Sequence, residues 1–479
     1  MGGPWLGTLA VAAEQATARG TKGVVLAAAP LAAAHGAEAM RAGGNAFDGV
    51  VAAALVETVM LPSKCGLAGD LVAITLPAGA KAPTALLAIG EAAAGLAAAA
   101  RRQGLQATGP LSVGVPGAPA GYAALAACGR LPLDRLVSPA IGVANDGFVW
   151  PGINHSLSVE SRQLVLANNR DANRYFPAGE PLLPHSVVRL PGLAEVLEEF
   201  ATRGAGLFTS PLGEAMARYV TARGGVLTVD DFERARAEWV APDSAEVGGR
   251  VLWATPAPTH GPSLLRALEF SAGTVWDRIQ SGAAMRSELH DPSGTSIVSA
   301  ADSEGNVAVV IHSNSFPRFG SGLVVPEYDL ILSNRPGRGF SPDPDHPNFP
   351  APGRRPATTL HAWGLSDDAG RPEMLGGTPG GENQMPWNTQ LLCDCLGGEM
   401  DPGRLVVGPR WELAPDGGVV IEEGLDPAVV NELSERAARL EQVPRWGLRS
   451  AYQLVRVPRT GEAVVGAVDP RTGGAGVPI

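Results

Sequence analysis

Two short apolar runs around a polar turn are the feature that most restricts how this chain folds. Residues 295–301 (TSIVSAA) and 307–313 (VAVVIHS) are separated by residues 302–306 (DSEGN). β-Branched and small residues on both sides of a turn rich in Asp, Gly and Asn are typical of two antiparallel strands. The sequence therefore predicts a β-hairpin whose first residue is Thr295.

Thr295 is a candidate nucleophile because of the residue before it. A threonine hydroxyl needs a base to take its proton, and backbone cleavage after Gly294 supplies one, the α-amine of Thr295 itself. An α-amine has a pKa of about 7.7 to 8.0, so it accepts a proton near neutral pH. Gly294 also tolerates the strained backbone that attack of the hydroxyl on its carbonyl requires. Taken alone, however, Gly-Thr before a strand is commonplace, and an ordinary strand start is the simpler explanation.

The length and the composition exclude several classes of protein. With 479 residues the chain is too long for one simple core, and its 45% hydrophobic and 18% charged residues are ordinary for a globular protein. The net charge is −11, and no cluster of Lys and Arg is long enough to follow a phosphate backbone. We therefore expect no nucleic-acid partner, and solubility alone explains the acidity.

The cysteines and histidines predict neither a disulfide framework nor a metal site. The four cysteines are few and scattered, and Cys393 and Cys395 lie in an apolar run where buried thiols are expected. The eight histidines have no metal-ligand spacing, so we predict structural roles for them. His290, five residues before Thr295, is a candidate for assisting cleavage, with a surface position as the alternative. Without a signal peptide or an apolar run of about 18 residues, a cytoplasmic enzyme with no membrane partner is expected.

Three stretches of different pattern follow one another along the chain. Residues 21–148 alternate helices and short strands, and residues 150–290 are predicted to be mostly helical. The third stretch begins at Thr295 and contains a Pro/Gly-rich loop or lid at residues 335–355. The other predicted elements are helices over residues 31–41, 45–55 and 132–143, a buried strand over 71–76, and a terminal hairpin of residues 452–457 and 463–468.

Short blocks, most of them rich in glycine or proline, occur in a fixed order along the chain. They are residues 30–32 (PLA), 38–48 (EAMRAGGNAFD), 65–70 (CGLAGD), 113–117 (VGVPG), 129–132 (GRLP), 139–141 (PAI), 224–228 (GGVLT), 319–322 (FGSG), 376–381 (GGTPGG) and 468–471 (VDPR). From about Val24 to the C-terminus the chain thereby resembles the γ-glutamyltranspeptidase family of N-terminal nucleophile hydrolases. So many ordered blocks make chance similarity implausible.

The resemblance implies an α+β fold, an αββα sandwich in which helices cover two stacked sheets. It implies that the chain cleaves itself between Gly294 and Thr295 into a large segment, residues 1–294, and a small segment, residues 295–479. Together the segments are expected to form one αββα unit. The expected assembly is a heterodimer of the two fragments, alone or as a dimer of heterodimers. The family acts on small molecules and needs no cofactor.

The resemblance also assigns catalytic roles to positions that match the family's motifs. Thr295 falls on the nucleophile, and Ser313 falls on the threonine that hydrogen-bonds the nucleophile's hydroxyl or amine. Gly380 and Gly381 fall on the pair whose N–H groups form the oxyanion hole, where one donor lowers the barrier by about 3 kcal/mol. The alternatives for this glycine-rich segment are a plain turn or a phosphate cradle, but it lacks the lysine of a phosphate-binding loop.

Further positions are assigned to the substrate pocket. Thr358 and Thr359 fall on two serines that line it in the family, and two ordinary strand threonines are the alternative explanation. Asn314, next to Ser313, is assigned to substrate binding as well.

Both groups that hold a glutamyl substrate in the family are missing. The transpeptidases have an arginine before Glu-x-Ala-Pro, where this chain has Gly90 before Glu91, and residues 334–341 (NRPGRGFS) replace a pair of aspartates. A γ-glutamyl donor is therefore disfavoured, because its charge-assisted contacts are lost. The loop instead resembles that of the oxamate amidohydrolase branch. Arg335 and Arg338 either bind a compact carboxylate such as an oxalyl group, or pair with nearby acids at the surface.

Three functions are compatible with these features. The leading one is hydrolysis of an amide-like acyl bond in a small, non-γ-glutamyl, carboxylate-bearing substrate. The second uses the same machinery on a carbon–carbon bond, releasing an oxalyl-type fragment in the biosynthesis of a dehydroproline-type specialised metabolite. The third is a processing-defective, non-catalytic binding protein, because Ile297 stands where the family usually has histidine and the helical stretch before Thr295 is short.

Overall fold

The fold is built from helices and strands that alternate along the chain. The computed structural model describes residues 4–169, 173–269, 273–284, 294–414 and 416–479. In chain order the strands are β1 (Thr17–Gly20), β2 (Gly23–Ala27), β3 (Asp70–Leu76), β4 (Thr84–Ala88), β5 (Phe148–Val149), β6 (Val187–Val188), β7 (Glu238–Val240), β8 (Asp243–Val247), β9 (Arg250–Ala254), β10 (Thr295–Asp302), β11 (Val307–Ser313), β12 (Val324–Val325), β13 (Leu330–Ile331), β14 (Ala362–Ser366), β15 (Pro372–Gly377), β16 (Trp411–Leu413), β17 (Val419–Glu422), β18 (Leu440–Val443), β19 (Gln453–Arg456), β20 (Val464–Val468) and β21 (Ala475–Pro478).

Helices connect and cover these strands. The α-helices are α1 (Pro4–Ala16), α2 (Pro30–Arg41), α3 (Ala46–Met60), α4 (Leu96–Gln103), α5 (Ala118–Ala126), α6 (Leu133–Asp146), α7 (Gly152–Asn168), α8 (Pro191–Arg203), α9 (Pro211–Thr221), α10 (Val229–Phe232), α11 (Gly261–Glu269), α12 (Val275–Ala284), α13 (Arg335–Gly339), α14 (Gln384–Leu396), α15 (Pro402–Val407) and α16 (Pro427–Arg436). Short 3-10 helices occupy Pro110–Ser112, Pro177–Gly179, Gly204–Thr209 and Gly381–Asn383.

Two seven-stranded sheets stack face to face at the centre of the molecule. The first has the order β1-β20-β19-β15-β14-β9-β8 and the second the order β21-β2-β10-β11-β3-β4-β7. Apolar side chains between them, among them Ile297, Ile311 and Leu375, form one continuous cluster. Helices α2, α3 and α5 cover the outer face of the second sheet, and α11, α14 and α15 cover that of the first. The predicted αββα sandwich is therefore confirmed.

The two segments on either side of the Gly294–Thr295 bond are interleaved in both sheets. Residues before it supply β1, β8 and β9 to the first sheet, and β2, β3, β4 and β7 to the second. Residues after it supply the remaining strands, including the central β10 and β11. Neither segment has a complete sheet of its own, so cleavage at this bond would leave two fragments held together by the shared core.

Helix α3 lies buried beneath the second sheet. Asn45 caps it, accepting from the N–H groups of Phe47 and Asp48, while Asp48 accepts from the N–H of Asn45 at 2.7 Å. This reciprocal capping box confirms the predicted helix start at Asn45. Every residue of α3 is buried, which requires the small and branched apolar residues of its sequence and isolates the carboxylate of Glu57 inside the protein.

The predicted hairpin at Thr295 is present at the centre of the second sheet. β10 and β11 pair antiparallel with Thr295 opposite Ser313, and both strands are buried along their whole length. Because side chains alternate along a strand, Thr295 and Ile297 face the first sheet, whereas Ser296 and Val298 face the helices. The nucleophile candidate therefore lies at one edge of the space between the two sheets.

The expectation that residues 150–290 are mostly helical is wrong in part. This stretch also contains β6 to β9, and β8 and β9 extend the first sheet as a hairpin. β8 has largely exposed, polar residues, so it lacks the apolar alternation that would have predicted it. Its sequence signal is the turn at Gly248 and Gly249, whose φ angles of +58° and +79° are those of a tight hairpin turn. Residues 285–293, with His290, lie outside the described residues.

Other expectations concern the loop and the cysteines. Residues 335–355 begin with the short helix α13 and continue without further helix or strand, and whether they act as a lid stays a prediction. Cys393 and Cys395 are buried as expected, and the cysteines, all within the described ranges, are free thiols. In the part of the chain that the structure describes, no helix combines the length and the apolar character needed to cross a membrane.

Candidate active site

The hydroxyl of Ser313 connects the candidate nucleophile with the peptide bond before it. It donates to the carbonyl oxygen of Gly294 at 2.7 Å and accepts from the hydroxyl of Thr295 at 3.2 Å. It also accepts from the N–H of Ser315 at 2.8 Å. A serine hydroxyl has one proton and two lone pairs, so these three contacts use its full capacity. Ser313 thereby holds the Thr295 hydroxyl next to a carbonyl that it polarises.

Gly294 lies where no larger residue fits. A Cβ atom added at Gly294 would stand 2.0 Å from the carbonyl oxygen of Ser315, which is backbone and cannot move aside easily. Ser315 itself has a φ of +71°, a conformation that costs energy for a residue with a side chain. The close contact between these two backbone segments keeps the Gly294 carbonyl within reach of Ser313.

We expect Gly294→Ala to slow backbone cleavage before Thr295 by at least about tenfold, because the methyl group displaces the carbonyl from the Ser313 hydroxyl. Intact mass of freshly purified protein, followed over time, measures the rate. Gly142→Ala is a matched control, since a Cβ added there meets no atom within 4 Å. Equal cleavage rates in the two variants would contradict this role of Gly294.

Ile297 belongs to the core between the sheets, on the same strand face as Thr295. A Cβ on Gly377 at the end of β15 would lie 3.3 Å from the Ile297 side chain. This contact brings the following glycine-rich loop toward the same edge of the sandwich as Thr295. The isoleucine that replaces the family's usual histidine therefore has a packing role, and the Ser313 contacts to Thr295 are present without that histidine.

Gly380 and Gly381 form a tight turn that only glycine allows. Their φ angles are +149° and +59°, and a Cβ on Gly380 would meet the Trp387 ring at 2.3 Å. Gln384 fixes this turn: with its amide oriented to donate to the carbonyls of Thr359 and Thr378, its oxygen lies 3.2 Å from the N–H of Gly381. The oxyanion role of the two glycines stays a prediction, and Gln384 is a contact that sequence reasoning missed.

Thr358 and Thr359 are buried in an irregular segment that precedes β14. Thr358 forms an isolated bridge with Thr259, and neither Thr358 nor Thr359 belongs to a strand of either sheet. Their role in a substrate pocket stays a prediction. The carbonyl of Thr359 accepts from Nδ1 of His361 at 2.9 Å, and Nε2 of His361 lies 2.8 Å from the side-chain amide of Asn388. Burial lowers the pKa of His361 to about 4, so this ring is neutral at physiological pH.

This histidine makes stability depend on pH. The pKa of His361 in the folded protein lies below the ordinary histidine value of 6.5. The stability that the neutral ring contributes is therefore complete above pH 6.5 and is lost as the pH falls toward 4. The free energy of unfolding should then fall by up to about 1.4 kcal/mol per pH unit on account of this one group. His361→Asn should give a shallower slope between pH 6.5 and 4 in urea unfolding, with no change in slope between pH 7 and 8. Parallel curves for the two proteins would contradict the prediction.

Arg335 forms a buried ion pair beside β11. Its Nε donates to Oδ2 of Asp70 at 2.9 Å, and the other oxygen of Asp70 accepts from the N–H of Gly90 at 3.1 Å. Asp70 stands opposite Ser313 in the sheet. Burial raises the pKa of Asp70, and the guanidinium of Arg335 opposes that shift. One alternative was that Arg335 pairs with an acid at the surface. It does pair with an acid, Asp70, but the pair lies inside the protein.

Arg335 and His260 both have a buried nitrogen without a partner. Nη2 of Arg335 and Nδ1 of His260 make no hydrogen bond with any residue that the structure describes. Burial, with smaller contributions from His361 and Arg335, lowers the pKa of His260 to about 3. His260, for which the sequence predicts a structural role, lies in the turn before α11 next to Thr259, which forms a bridge with Thr358.

Arg338 and Asn314, both predicted to bind substrate, have different surroundings. The guanidinium of Arg338 stands 5.2 Å above the Phe316 ring. Asn314 is fully buried and donates to the carbonyl of Pro62 at 3.1 Å, while its Oδ1 atom lacks a partner among the described residues. Their substrate-binding roles stay predictions.

One group of buried side chains could hold a metal ion, although no metal site was predicted. Glu57, Cys65 and His312 offer ligand atoms that all lie within 4.8 Å of one another. Within the described structure each of these atoms already has a hydrogen-bond partner, so the chemistry of the group is explained without an ion.

Known proteins resemble this chain over nearly its whole length. The pattern of the gamma-glutamyltranspeptidase family matches residues 32–290 and 271–479. The glutathione hydrolase-like YwrD proenzyme of Bacillus subtilis is 25% identical, covering 96% of this chain and 99% of the relative. The oxamate amidohydrolase proenzyme of Klebsiella pneumoniae is 26% identical, covering 95% and 98%. Cephalosporin acylase from Bacillus halodurans has a similar crystal structure, with a TM-score of 0.85 at 26% identity and 97% coverage of both chains.

Proposed function

The chain belongs to the gamma-glutamyltranspeptidase family and is an N-terminal nucleophile hydrolase, and from that premise we propose that Thr295 is its nucleophile. Relatives of nearly the same length are proenzymes, in agreement with a chain that becomes active by self-cleavage. The observation that carries the proposal is the Ser313 hydroxyl, which contacts both the Thr295 hydroxyl and the Gly294 carbonyl.

Self-cleavage begins with the hydroxyl of Thr295 as the attacking group. Its oxygen adds to the carbonyl carbon of Gly294, and the hydrogen bond from Ser313 stabilises the negative charge that develops on the carbonyl oxygen. The C–N bond breaks, the nitrogen of Thr295 takes a proton, and an ester links the two residues. Water hydrolyses this ester to the carboxylate of Gly294 and the free hydroxyl of Thr295. Thr295 then has a free α-amine.

Substrate turnover uses the same hydroxyl with the new amine as base. The α-amine takes the proton of the hydroxyl, whose oxygen attacks the acyl carbonyl of the substrate. The N–H groups of the turn at Gly380 and Gly381 stabilise the oxyanion once the acyl group displaces the Gln384 contact. The α-ammonium returns its proton to the leaving nitrogen, and water then hydrolyses the acyl-enzyme.

The substrate class follows from Arg335. In this chain Gly90 replaces the arginine expected for a transpeptidase, and its N–H binds the same carboxylate, Asp70, that Arg335 binds. The guanidinium of Arg335, from another part of the chain, thus lies near Gly90, the position where the transpeptidases have their substrate-binding arginine. Its unpartnered Nη2 suits a small carboxylate-bearing acyl group, and Arg338, Thr358, Thr359 and Asn314 are proposed to complete the pocket. We therefore assign hydrolysis of an amide-like acyl bond in a compact, non-γ-glutamyl substrate.

Trapping the acyl-enzyme tests this assignment. Purified protein is mixed with oxamate, quenched in acid and weighed, with γ-glutamyl-p-nitroanilide as the comparison substrate. An oxalyl adduct on the fragment that begins with Thr295, with release of ammonia, is the expected result. A γ-glutamyl adduct in its place would refute the substrate class. Carbon–carbon hydrolysis stays the alternative hypothesis. In that case an oxalyl substrate would leave the same adduct on Thr295, and the partner that is released would contain no new amine.

A further inference from the structure

The start of β10 has a partner strand on only one side. β11 pairs with β10 from Thr295 onward, whereas β2 pairs with it only from Val298 and ends at Ala27. Among the described residues, residues 295–297 therefore have no strand partner on the β2 side, although the carbonyl of Ile297 accepts from Nε2 of Gln453 at 2.8 Å. In the proposed mechanism the start of β10 loses a further constraint, because cleavage cuts the chain before Thr295.

The carboxylate of Glu57, on α3, accepts hydrogen bonds at the point where the pairing between β2 and β10 ends. Its Oε1 atom accepts from the N–H groups of Ala28 at 2.6 Å and Ala29 at 3.2 Å, where the chain departs from β2. Its Oε2 atom accepts from the hydroxyl of Ser296 at 2.5 Å and from Nε2 of His312 at 3.0 Å. The fully buried carboxylate thus bonds the end of β2 to the start of β10.

His312 and Tyr122 orient this carboxylate. His312 stands opposite Ser296 in the ladder, and its Nδ1 atom lies 2.6 Å from the hydroxyl of Tyr122 on α5. Burial raises the pKa of Tyr122 well above its usual range, so the hydroxyl keeps its proton and donates to Nδ1. The ring then holds its proton on Nε2 and donates it to Glu57.

We propose that Glu57, His312 and Tyr122 form a positioning network that holds Thr295 in register after the bond before it is cut. This inference rests on the proposed role of Thr295. Ser296 points to the helix side of the sheet and Thr295 to the opposite side, so the network acts through the backbone and touches no reacting atom. A buried carboxylate is costly, and four donors from three segments of the chain stabilise it here.

Ser296→Ala tests the network with little disturbance of the core, because it removes only the link between Glu57 and β10. Ser366→Ala is the matched control: Ser366 is also a buried strand serine, but it lies on β14 in the first sheet, and its hydroxyl donates to the carbonyl of Asp367 at 2.8 Å. Ser296→Thr restores a hydroxyl. A sulfonyl fluoride serves as the probe, since the Thr295 oxygen displaces fluoride and the adduct is read by mass.

For cleaved Ser296→Ala we expect labelling of Thr295 to be about tenfold slower than in the wild type, and amide hydrogen exchange at residues 296–297 to be faster. Ser366→Ala should match the wild type in both the labelling rate and the exchange rate, and Ser296→Thr should recover most of the labelling rate. Equal labelling and exchange in the Ser296 and Ser366 alanine variants would overturn the network. A lower melting temperature of Ser296→Ala with no change in labelling or exchange would overturn it as well. A wild-type chain that is never cleaved would instead refute the proposed function, and this inference with it.

Discussion

Thr295→Ala is expected to leave an intact chain with no measurable hydrolase activity. The variant lacks the oxygen that attacks the Gly294 carbonyl, so neither the cleavage nor the acyl-enzyme can form. Loss of a catalytic nucleophile lowers turnover by at least about a thousandfold, and here the α-amine that serves as the base is lost as well. Intact mass and ammonia release from oxamate measure the two effects separately.

Thr295→Ser is the control for this variant. It keeps a hydroxyl at the same distance from Ser313, so cleavage should proceed, with a change in rate and not a loss. The removed methyl group should have little effect on the fold, because residue 295 lies at the edge of the sheet interface. Efficient cleavage of Thr295→Ala, or normal activity of the uncleaved variant, would exclude Thr295 as the nucleophile.

Arg335→Ala is expected to cause the second large effect, on both stability and substrate binding. It leaves the buried carboxylate of Asp70 without its charged partner, which should cost about 3 kcal/mol or more of the free energy of unfolding. It also removes the guanidinium proposed to bind the substrate carboxylate, so kcat/KM for oxamate should fall by about a hundredfold, chiefly through KM. Urea unfolding and steady-state kinetics measure the two quantities.

The double variant Asp70→Asn/Arg335→Gln separates these effects. It replaces the ion pair with a neutral amide pair, which leaves no buried unpaired charge, so much of the lost stability should return. The affinity for oxamate should not return, because no cation remains to bind its carboxylate. Recovery of wild-type KM in the double variant would show that Arg335 is only a structural partner of Asp70.

The elements that the sequence predicts are those that form from residues close together in the chain. The β10–β11 hairpin follows from two apolar runs around a turn, and α3 begins at Asn45 because a capping box needs only Asn45 and Asp48. β8 was missed because it is an exposed edge strand with polar residues, so only the Gly248–Gly249 turn signals it.

The contacts that build the site join residues that are far apart in the sequence. Glu57 and His312 are 255 positions apart, and Asp70 and Arg335 are 265 apart. No periodicity predicts that these partners meet. The resemblance to the family located Thr295 and Ser313, whereas His260 and Gln384 carry no sequence signal beyond a polar residue beside a glycine-containing turn. The burial of these groups is visible only once the two sheets are stacked.

The intact mass of the purified wild-type protein tests the central claim most directly. If Thr295 is the nucleophile, the protein gives two fragments whose masses meet between Gly294 and Thr295, and the smaller one begins with a free threonine amine. The fragments should remain together under native conditions, because both contribute strands to each sheet. A chain that stays whole and inactive after prolonged incubation, as expected for a non-catalytic binding protein, would contradict the account. Cleavage at any other bond would contradict it as well.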